Sequence, residues 1–399
     1  MTAQLLAAEG LSYDPRSRVA AKEVAQQVVQ EIGAHPDLAL LFVTGHHEAA
    51  LPDVLKSVRN ILGPCPLAGC TASGVIGGGR EIQEGPAIAL WCARLPNTRV
   101  QAYKLQYEPE ESGEGGYIRG WLDCSREASV VLLADPTTLP AEPFLTSLRK
   151  EGRVPYIIGG LAGASAPSAP VHLFHNEELL TGGAVGLVFE GRAQLQPVVS
   201  QGCRPVGQPF RITRSEENLI YELERNPAFE ALNQVLLALD DRDRMHFQMG
   251  PQVGLRAVEA AAQGEVGSAG FLIRPVVAVD PESGTLAVGG AVEEGTTLQF
   301  HARDQDSAHR ELESLLELST ALSPEVAGAL LFSCHGRGTH LFREADHDIG
   351  LIRRYYPKLP ASGMFAGGEI GPVCGQPYIH GFTASIGLLV DRGADYSAP

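Results

Sequence analysis

No stretch of this 399-residue sequence approaches the ~20 consecutive apolar residues that a bilayer-spanning helix requires. Its opening, MTAQLLAAEGLSYDPRS, has no basic segment leading into an apolar one. Membrane insertion is therefore not expected, and the expected location is the cytoplasm. A block of Lys and Arg is missing too. With 47 acidic against 31 basic residues and a formal net charge of -16, the chain would repel a phosphate backbone, so no nucleic-acid partner is expected. A disulfide framework is equally absent. The seven cysteines, Cys65, Cys70, Cys92, Cys124, Cys203, Cys334 and Cys374, are odd in number and scattered through apolar or glycine-rich surroundings, which reads as reduced thiols.

Cofactor motifs also fail at decisive positions. GCTASG (69–74) has phosphate-loop glycine spacing, but Val75 and Ile76 stand where Lys and Ser or Thr would hold phosphate and magnesium. GRGTHL (336–341) starts like a dinucleotide fingerprint and ends in Leu341, where the third glycine should let helix and strand approach. Cys334, His335, His340 and His347 lack zinc-site spacing, and His46 and His47 read as a solvated helix start. No cofactor and no metal are expected.

What is present is ordinary globular material, 44% hydrophobic and 20% charged, in a length that suggests two domains. Apolar residues at helical spacing from Ala21 to Ile32 and from Leu51 to Leu62 predict two amphipathic helices, the first with Ser17 as its cap, each stopped by Gly and Pro. Around them LALLFVTG (38–45), PLAGC (66–70) and PAIALWCARL (86–95) read as strands, with a glycine-rich loop before the third. The same order returns twice. VVLLADPT (130–137), a helix at 142–151, YIIGGLAGASAPSAP (156–170) and GGAVGLVFE (182–190) form the second echo. GALLFSCHGRG (328–338), a helix near DIGLIRRYYP, GMFAGGEIGP (363–372) and YIHGFTASIGLLV (378–390) form the third. Aligning the echoes superposes Gly69, Gly159 and Gly367, and the strand ends Thr44, Asp135 and Cys334.

The fold class that follows is α/β, with α+β mixing, in which repeated strand-helix-strand-loop-strand units form two packed domains. The expected division is a helical lead-in at 1–34, a first domain at 35–225 and a second at 226–390, opened by Asn226 as a cap and Pro227 in the first helical turn. The second domain should contain a hairpin at 274–290 and an amphipathic helix at 306–319, while the acidic YEPEESGEGG (107–116) reads as a solvated loop.

Chemistry concentrates in CHGRG. Glycines Gly336 and Gly338 on either side of Arg337 would let backbone N–H groups approach a ligand, and a guanidinium fork matches a carboxylate. The competing reading is a glycine turn whose arginine pairs with an acid. Glu369, behind Gly367 and Gly368, is the only charge at its position among the three echoes. Arg337 with Glu369 would suit a zwitterion such as an amino acid, or would be a salt bridge joining two loops. Arg80 and Glu81 pose the same choice, with a solvated pair favoured. Cys334 reads as a buried strand-end thiol rather than a nucleophile, because its neighbour His335 would not point the same way at a strand end.

Taken in order, PLAGCTASGVIGGGREIQEGPAIALW, QGCRPVGQPFRITRSEENLIYEL, FSCHGRG, GMFAGGEIGP and HGFTAS resemble the FIST family, with its paired FIST N and FIST C domains, over about residues 30–390. The resemblance implies an intracellular sensory module that binds small ligands, amino acids being the suggested class. It transfers no catalytic set. The matching positions are Cys334, Gly336, Arg337, Gly338, Gly367, Gly368 and Glu369, with Gly69, Gly74, Arg80 and Glu81 in the first domain. No room remains for a kinase, cyclase or methyl-accepting output domain, so a signal would pass through a separate partner. The alternatives are an enzyme acting on a small carboxylate through the Cys334/Arg337 loop, and a protein-interaction scaffold.

Overall fold

The computed structural model describes residues 4–110, 116–152, 155–163, 169–248, 250–257, 270–323 and 325–393. The acidic loop and the small-residue loop therefore lie partly outside the described residues, at 111–115 and 164–168. The first unit runs β1 (Leu6–Ser12), α1 (Ser17–Ile32), β2 (Leu38–Thr44), α2 (Leu51–Leu62), β3 (Leu67–Ala72), β4 (Gly74–Gly77), β5 (Arg80–Ile82) and β6 (Ile88–Arg94). The second runs β7 (Thr98–Pro109), β8 (Gly116–Arg119), β9 (Ser129–Ala134), α3 (Ala141–Glu151), β10 (Tyr156–Leu161), β11 (His172–His175), β12 (Glu178–Thr181) and β13 (Ala184–Gly191).

The third unit opens with β14 (Ala193–Ser200) and is then interrupted by an insertion. This contains β15 (Cys203–Glu216), β16 (Leu219–Leu223), β17 (Asn226–Pro227), α4 (Ala228–Ala238), α5 (Asp241–Gln248), β18 (Gln252–Arg256), β19 (Phe271–Asp280), β20 (Thr285–Val288) and β21 (Thr297–Arg303). The unit resumes with α6 (Gln305–Leu322), β22 (Val326–Cys334), α7 (His347–Tyr355), β23 (Ala361–Ala366), β24 (Glu369–Val373), β25 (Gln376–His380) and β26 (Ala384–Asp391). The chain is thus a mixed α/β protein whose sheets form two packed domains.

In each unit the outer strand, the last strand and two parallel central strands lie side by side: β1-β6-β2-β3, β7-β13-β9-β10 and β14-β26-β22-β23. Each sheet is then extended by a hairpin from another unit. β11–β12 adds to β3 through Phe174↔Gly69, β24–β25 adds to β10 through Gly160↔Glu369, and β4–β5 adds to β23 through Met364↔Val75. The exchange is cyclic, so the echoes read in the sequence are one interlocked assembly.

The inner faces of the three sheets meet in one apolar core that takes Leu40, Phe42 and Trp91 from the first unit, Val131 and Leu187 from the second and Phe332 and Met364 from the third. Phe42 and Phe332 meet edge to face at 6.2 Å. Burying each such side chain contributes about 1.5–3 kcal/mol. The outer faces carry the helices, with α1 and α2 on the first sheet, α3 on the second and α6 and α7 on the third. The insertion has its own sheet, β15-β21-β18-β19-β20-β16-β17, and its own core under α4 and α5.

Several expectations are adjusted. The parallel registers pair Leu41 with Gly69, Leu132 with Gly159 and Leu331 with Gly363, so the third member of the glycine set is Gly363, not Gly367. The same registers place Thr44, Asp135 and Cys334 each three residues beyond its leucine, which agrees with the strand-end alignment. Residues 1–34 contain a strand as well as a helix, because β1 pairs with β6 along its full length. Asn226 and Pro227 pair with β16, and α4 starts at Ala228. Ser17 caps nothing; its Oγ meets His47 Nδ1 at 3.0 Å.

Candidate functional site

β22 ends at Cys334, where the Arg337 N–H turns back to the Cys334 carbonyl at 2.8 Å and Gly338 follows at φ +53, a region that glycine enters freely. The turn sends the Arg337 side chain inward. It is fully buried, with Nε donating to Asp348 Oδ2 and Nη2 to Asp348 Oδ1, each at 2.8 Å. Asp348 sits in the first turn of α7, is equally buried, and also accepts from Ser333 Oγ at 2.9 Å. Burial alone would raise the Asp348 carboxyl, but the Arg337 guanidinium and the hydrogen bonds hold it well below the usual carboxylate range. The arginine read from the sequence as a ligand's carboxylate partner is therefore engaged by a carboxylate of this chain, in the two-point geometry expected for a ligand.

The other sequence candidates divide between two sides of this pair. Glu369 is buried at the start of β24 and accepts from the Thr383 N–H at 3.0 Å, leaving its Oε1 without a partner. It forms no ion pair with Arg337; burial raises its carboxyl far above the ordinary value. Burial, and then the neighbouring Glu369, push the Cys334 thiol up to about 12, which removes the thiolate a nucleophile would need at neutral pH. Gly336 contributes its carbonyl to Arg303 Nη2 at 2.6 Å. Gly367 and Gly368 bond through their backbones to Leu161, at 3.1 and 2.8 Å, and so join the third unit to the second.

Arg80 and Glu81 are not a solvated pair. Arg80 Nε meets Asp346 Oδ2 at 2.7 Å, and the buried Glu81 accepts from the Ile349 N–H at 2.9 Å. That N–H belongs to the otherwise unsatisfied first turn of α7, so a carboxyl oxygen from 268 residues away in sequence caps the helix. Burial and then the Asp348 charge push Glu81 up to about 8. First-unit hairpin and third-unit loop thus share one polar centre.

Beside this centre a cleft of about 660 Å³ opens between the first turns of α6 and α7. His309 Nδ1 and His347 Nε2 lie 2.9 Å apart, and His347 Nδ1 is 2.9 Å from Asp348 Oδ1. Phe342 stacks on the His347 ring at 3.4 Å and 8°. Glu313 lies between His309 Nε2, at 3.7 Å, and Arg354 Nη1, at 3.1 Å. Arg310 and Arg343 also line the cleft, and neither has a carboxylate partner among the described residues. The repeat supplies an internal comparison. In the first unit, α1 and α2 close against each other through Ala21, Val24, Ala25, Leu51, Val54 and Leu55. In the third, Leu312, Leu316, Ile349 and Ile352 close only the inner part, and charged and imidazole side chains hold the outer part open.

The sequence reading missed Asp348, His309 and Phe342 and treated His347 only as a metal candidate. Among the described residues no group of three or more metal-ligating side chains is arranged around an ion position. A usable signal was the histidine at the edge of α6's apolar stripe, one residue after Ala308 and three before Leu312.

The FIST N domain matches residues 37–226, and the FIST C domain matches residues 228–372. The chain belongs to the FIST family. It is 34% identical to the uncharacterised protein Mb0898c of Mycobacterium bovis over 385 residues, 96% of this chain and 98% of that one. It shows the same identity to the uncharacterised protein Rv0628c of Mycobacterium tuberculosis over 96% of this chain and 99% of its relative. FIST domains are ligand-binding and are associated with sensory signalling. The two FIST matches meet at the start of α4, inside the insertion, and the FIST C match ends within β24; β1, β25 and β26 lie outside both.

Proposed function

We propose that this FIST chain is a cytoplasmic small-molecule receptor whose ligand, an amino acid or a related carboxylate, occupies the α6–α7 cleft, and that its signal passes to a separate partner protein. The observation that carries this reading is the contrast between equivalent helix pairs: one is closed by apolar residues, and the other is held open around Arg310, Arg343 and the two histidines. Arginines with no carboxylate partner among the described residues can receive a ligand's carboxylate, and Glu344, which also lines the cleft, can accept from an ammonium. In this reading the loop residues Cys334, Gly336, Arg337, Gly338, Gly367, Gly368 and Glu369, with Arg80 and Glu81, shape and support the site from behind. The free state of all seven cysteines suits a reducing compartment. No described helix is long and apolar enough to cross a membrane.

The test is thermal unfolding with a panel of amino acids and small carboxylates, repeated with Arg343→Gln. A ligand present at 100 times its Kd adds about 2.7 kcal/mol. At least one member should stabilise the native chain, and the substitution should weaken that effect without lowering the melting temperature of the free protein. A panel without any stabilising member would remove this reading.

A further inference from the structure

The two histidines of the cleft form the middle of a hydrogen-bonded series that is fixed at one end. Asp348 is ionised, because Arg337 holds both of its oxygens, and Ser333 donates to it as well. An ionised carboxylate only accepts, so His347 must carry a proton on Nδ1. In a neutral His347 the Nε2 atom is then an acceptor, and the 2.9 Å contact requires the proton on His309 Nδ1. The stacked Phe342 ring, with the Asp348 bond, keeps the His347 ring from turning over. Consequently the neutral pair leaves His309 Nε2 as a bare acceptor, 3.7 Å from the Glu313 carboxylate and at the cleft.

That end of the series has the wrong polarity for an oxyanion and the right place for one. One added proton on His309 Nε2 converts it into a donor. Of the nearby carboxylates, Glu313 on the same helix gives its Oε1 to Arg354 at 3.1 Å and keeps its Oε2 3.7 Å from His309 Nε2, too long for a hydrogen bond, while Asp346, which also lines the cleft, pairs with Arg80 at 2.7 Å. Glu81 is turned into the α7 backbone and away from the cleft. Asp306 and Glu344 also line the cleft. We propose that the α6–α7 cleft is a proton-linked oxyanion site, in which His309, completed by one proton taken from solvent, donates to the ligand beside Arg310 and Arg343.

The proposal rests on the cleft being the ligand site and adds the chemistry of its occupant. Since the complex holds one proton more than the free components, affinity falls as pH rises, by up to about tenfold per pH unit where the free pair is neutral and the bound pair protonated. Two probes of constant charge between pH 5.5 and 8.5 suffice, sulfate and L-aspartate. Calorimetric titration in buffers of different ionisation enthalpy counts the protons taken up. The expected result is uptake approaching one proton per ligand, abolished in His309→Gln, while Arg343→Gln weakens binding to the same extent at every pH and keeps the slope. His309 is partly exposed, so its substitution should leave the fold intact, as unfolding of the free variant would verify. Binding of sulfate alone with proton uptake would support the linkage and remove the amino-acid reading. Binding of L-aspartate without proton uptake, or with an unaltered pH slope in His309→Gln, would overturn the linkage and leave that reading standing. Failure of both probes to bind would overturn the two together.

Discussion

Removing the Arg337 guanidinium would leave the Asp348 carboxylate buried with only neutral donors and a histidine. Losing one partner of a fully buried pair costs about 3–5 kcal/mol, because the remaining charge is uncompensated. Arg337→Ala should therefore lower stability to chemical denaturation by this amount, and Arg337→Lys should recover little, since one ammonium cannot span both carboxylate oxygens. A ligand-contacting arginine would show the reverse pattern, normal stability with weakened binding. Glu81 permits a second measurement. Its carboxyl is raised to about 8 from an ordinary 4.5, so the folded state holds a proton that the unfolded state releases. This contribution is complete below pH ~4.5 and is lost as pH rises through about 8. Every tenfold gain in proton affinity on folding corresponds to about 1.4 kcal/mol. Glu81→Gln keeps an acceptor for the Ile349 N–H and cannot ionise; denaturation series from pH 5 to 9 should show the variant gaining on the native chain as pH rises. A constant difference between the two would mean that Glu81 is not buried as a neutral acid. The sequence offered CHGRG either as a ligand-binding loop or as a glycine turn whose arginine pairs with an acid of the chain; Asp348 as that acid was not legible, because it lies on the next helix and its approach is a matter of turn geometry.

Among the elements, the glycine of each second parallel strand explains why the repeat was visible at all. A Cβ added at Gly69, Gly159 or Gly363 would stand 2.1, 1.9 or 1.7 Å from the carbonyl oxygen of the leucine opposite. No side chain is accommodated there without moving a backbone, and Gly159 additionally sits at φ +149. Gly363→Ala should cost at least the 1–3 kcal/mol typical of overpacking, whereas Gly367→Ala, with nothing within 4 Å of its added Cβ, should cost much less. Comparing the two variants by thermal unfolding decides between the register of the strands and the spacing seen in the sequence. The alignment on Gly367 went wrong because GMFAGG offers three glycines, and only the strand pairing tells which one faces a carbonyl. Strands and helices were legible from apolar runs and 3.6-residue periodicity. The cleft was not, since it arises from two helices that a repeat-based reading would close as α1 and α2 are closed.

For the molecule as a whole, the cyclic exchange of hairpins means that neither FIST domain contains all the strands of its own sheets. A chain ending at residue 225 would leave the edge of β10 without β24–β25, and its β4–β5 hairpin without β23. The shared core would lose Phe332, Met364 and Leu389, fully buried side chains worth about 1.5–3 kcal/mol each, out of a net stability that is only about 5–15 kcal/mol for a typical domain. Unpaired strand edges beside an opened core are also a route to aggregation. Residues 1–225 expressed alone should therefore be insoluble or bind hydrophobic dyes, and mixing with residues 226–399 during refolding should restore a soluble complex. The intact chain should unfold its three exchanged sheets in one transition, followed by near-ultraviolet circular dichroism and by fluorescence of Trp91, whose indole donates to the Pro360 carbonyl across the boundary at 3.2 Å. The insertion, with its separate core, is the part able to depart from that single transition. A stable, folded fragment of residues 1–225 would show that the exchanged hairpins decorate the sheets rather than complete them.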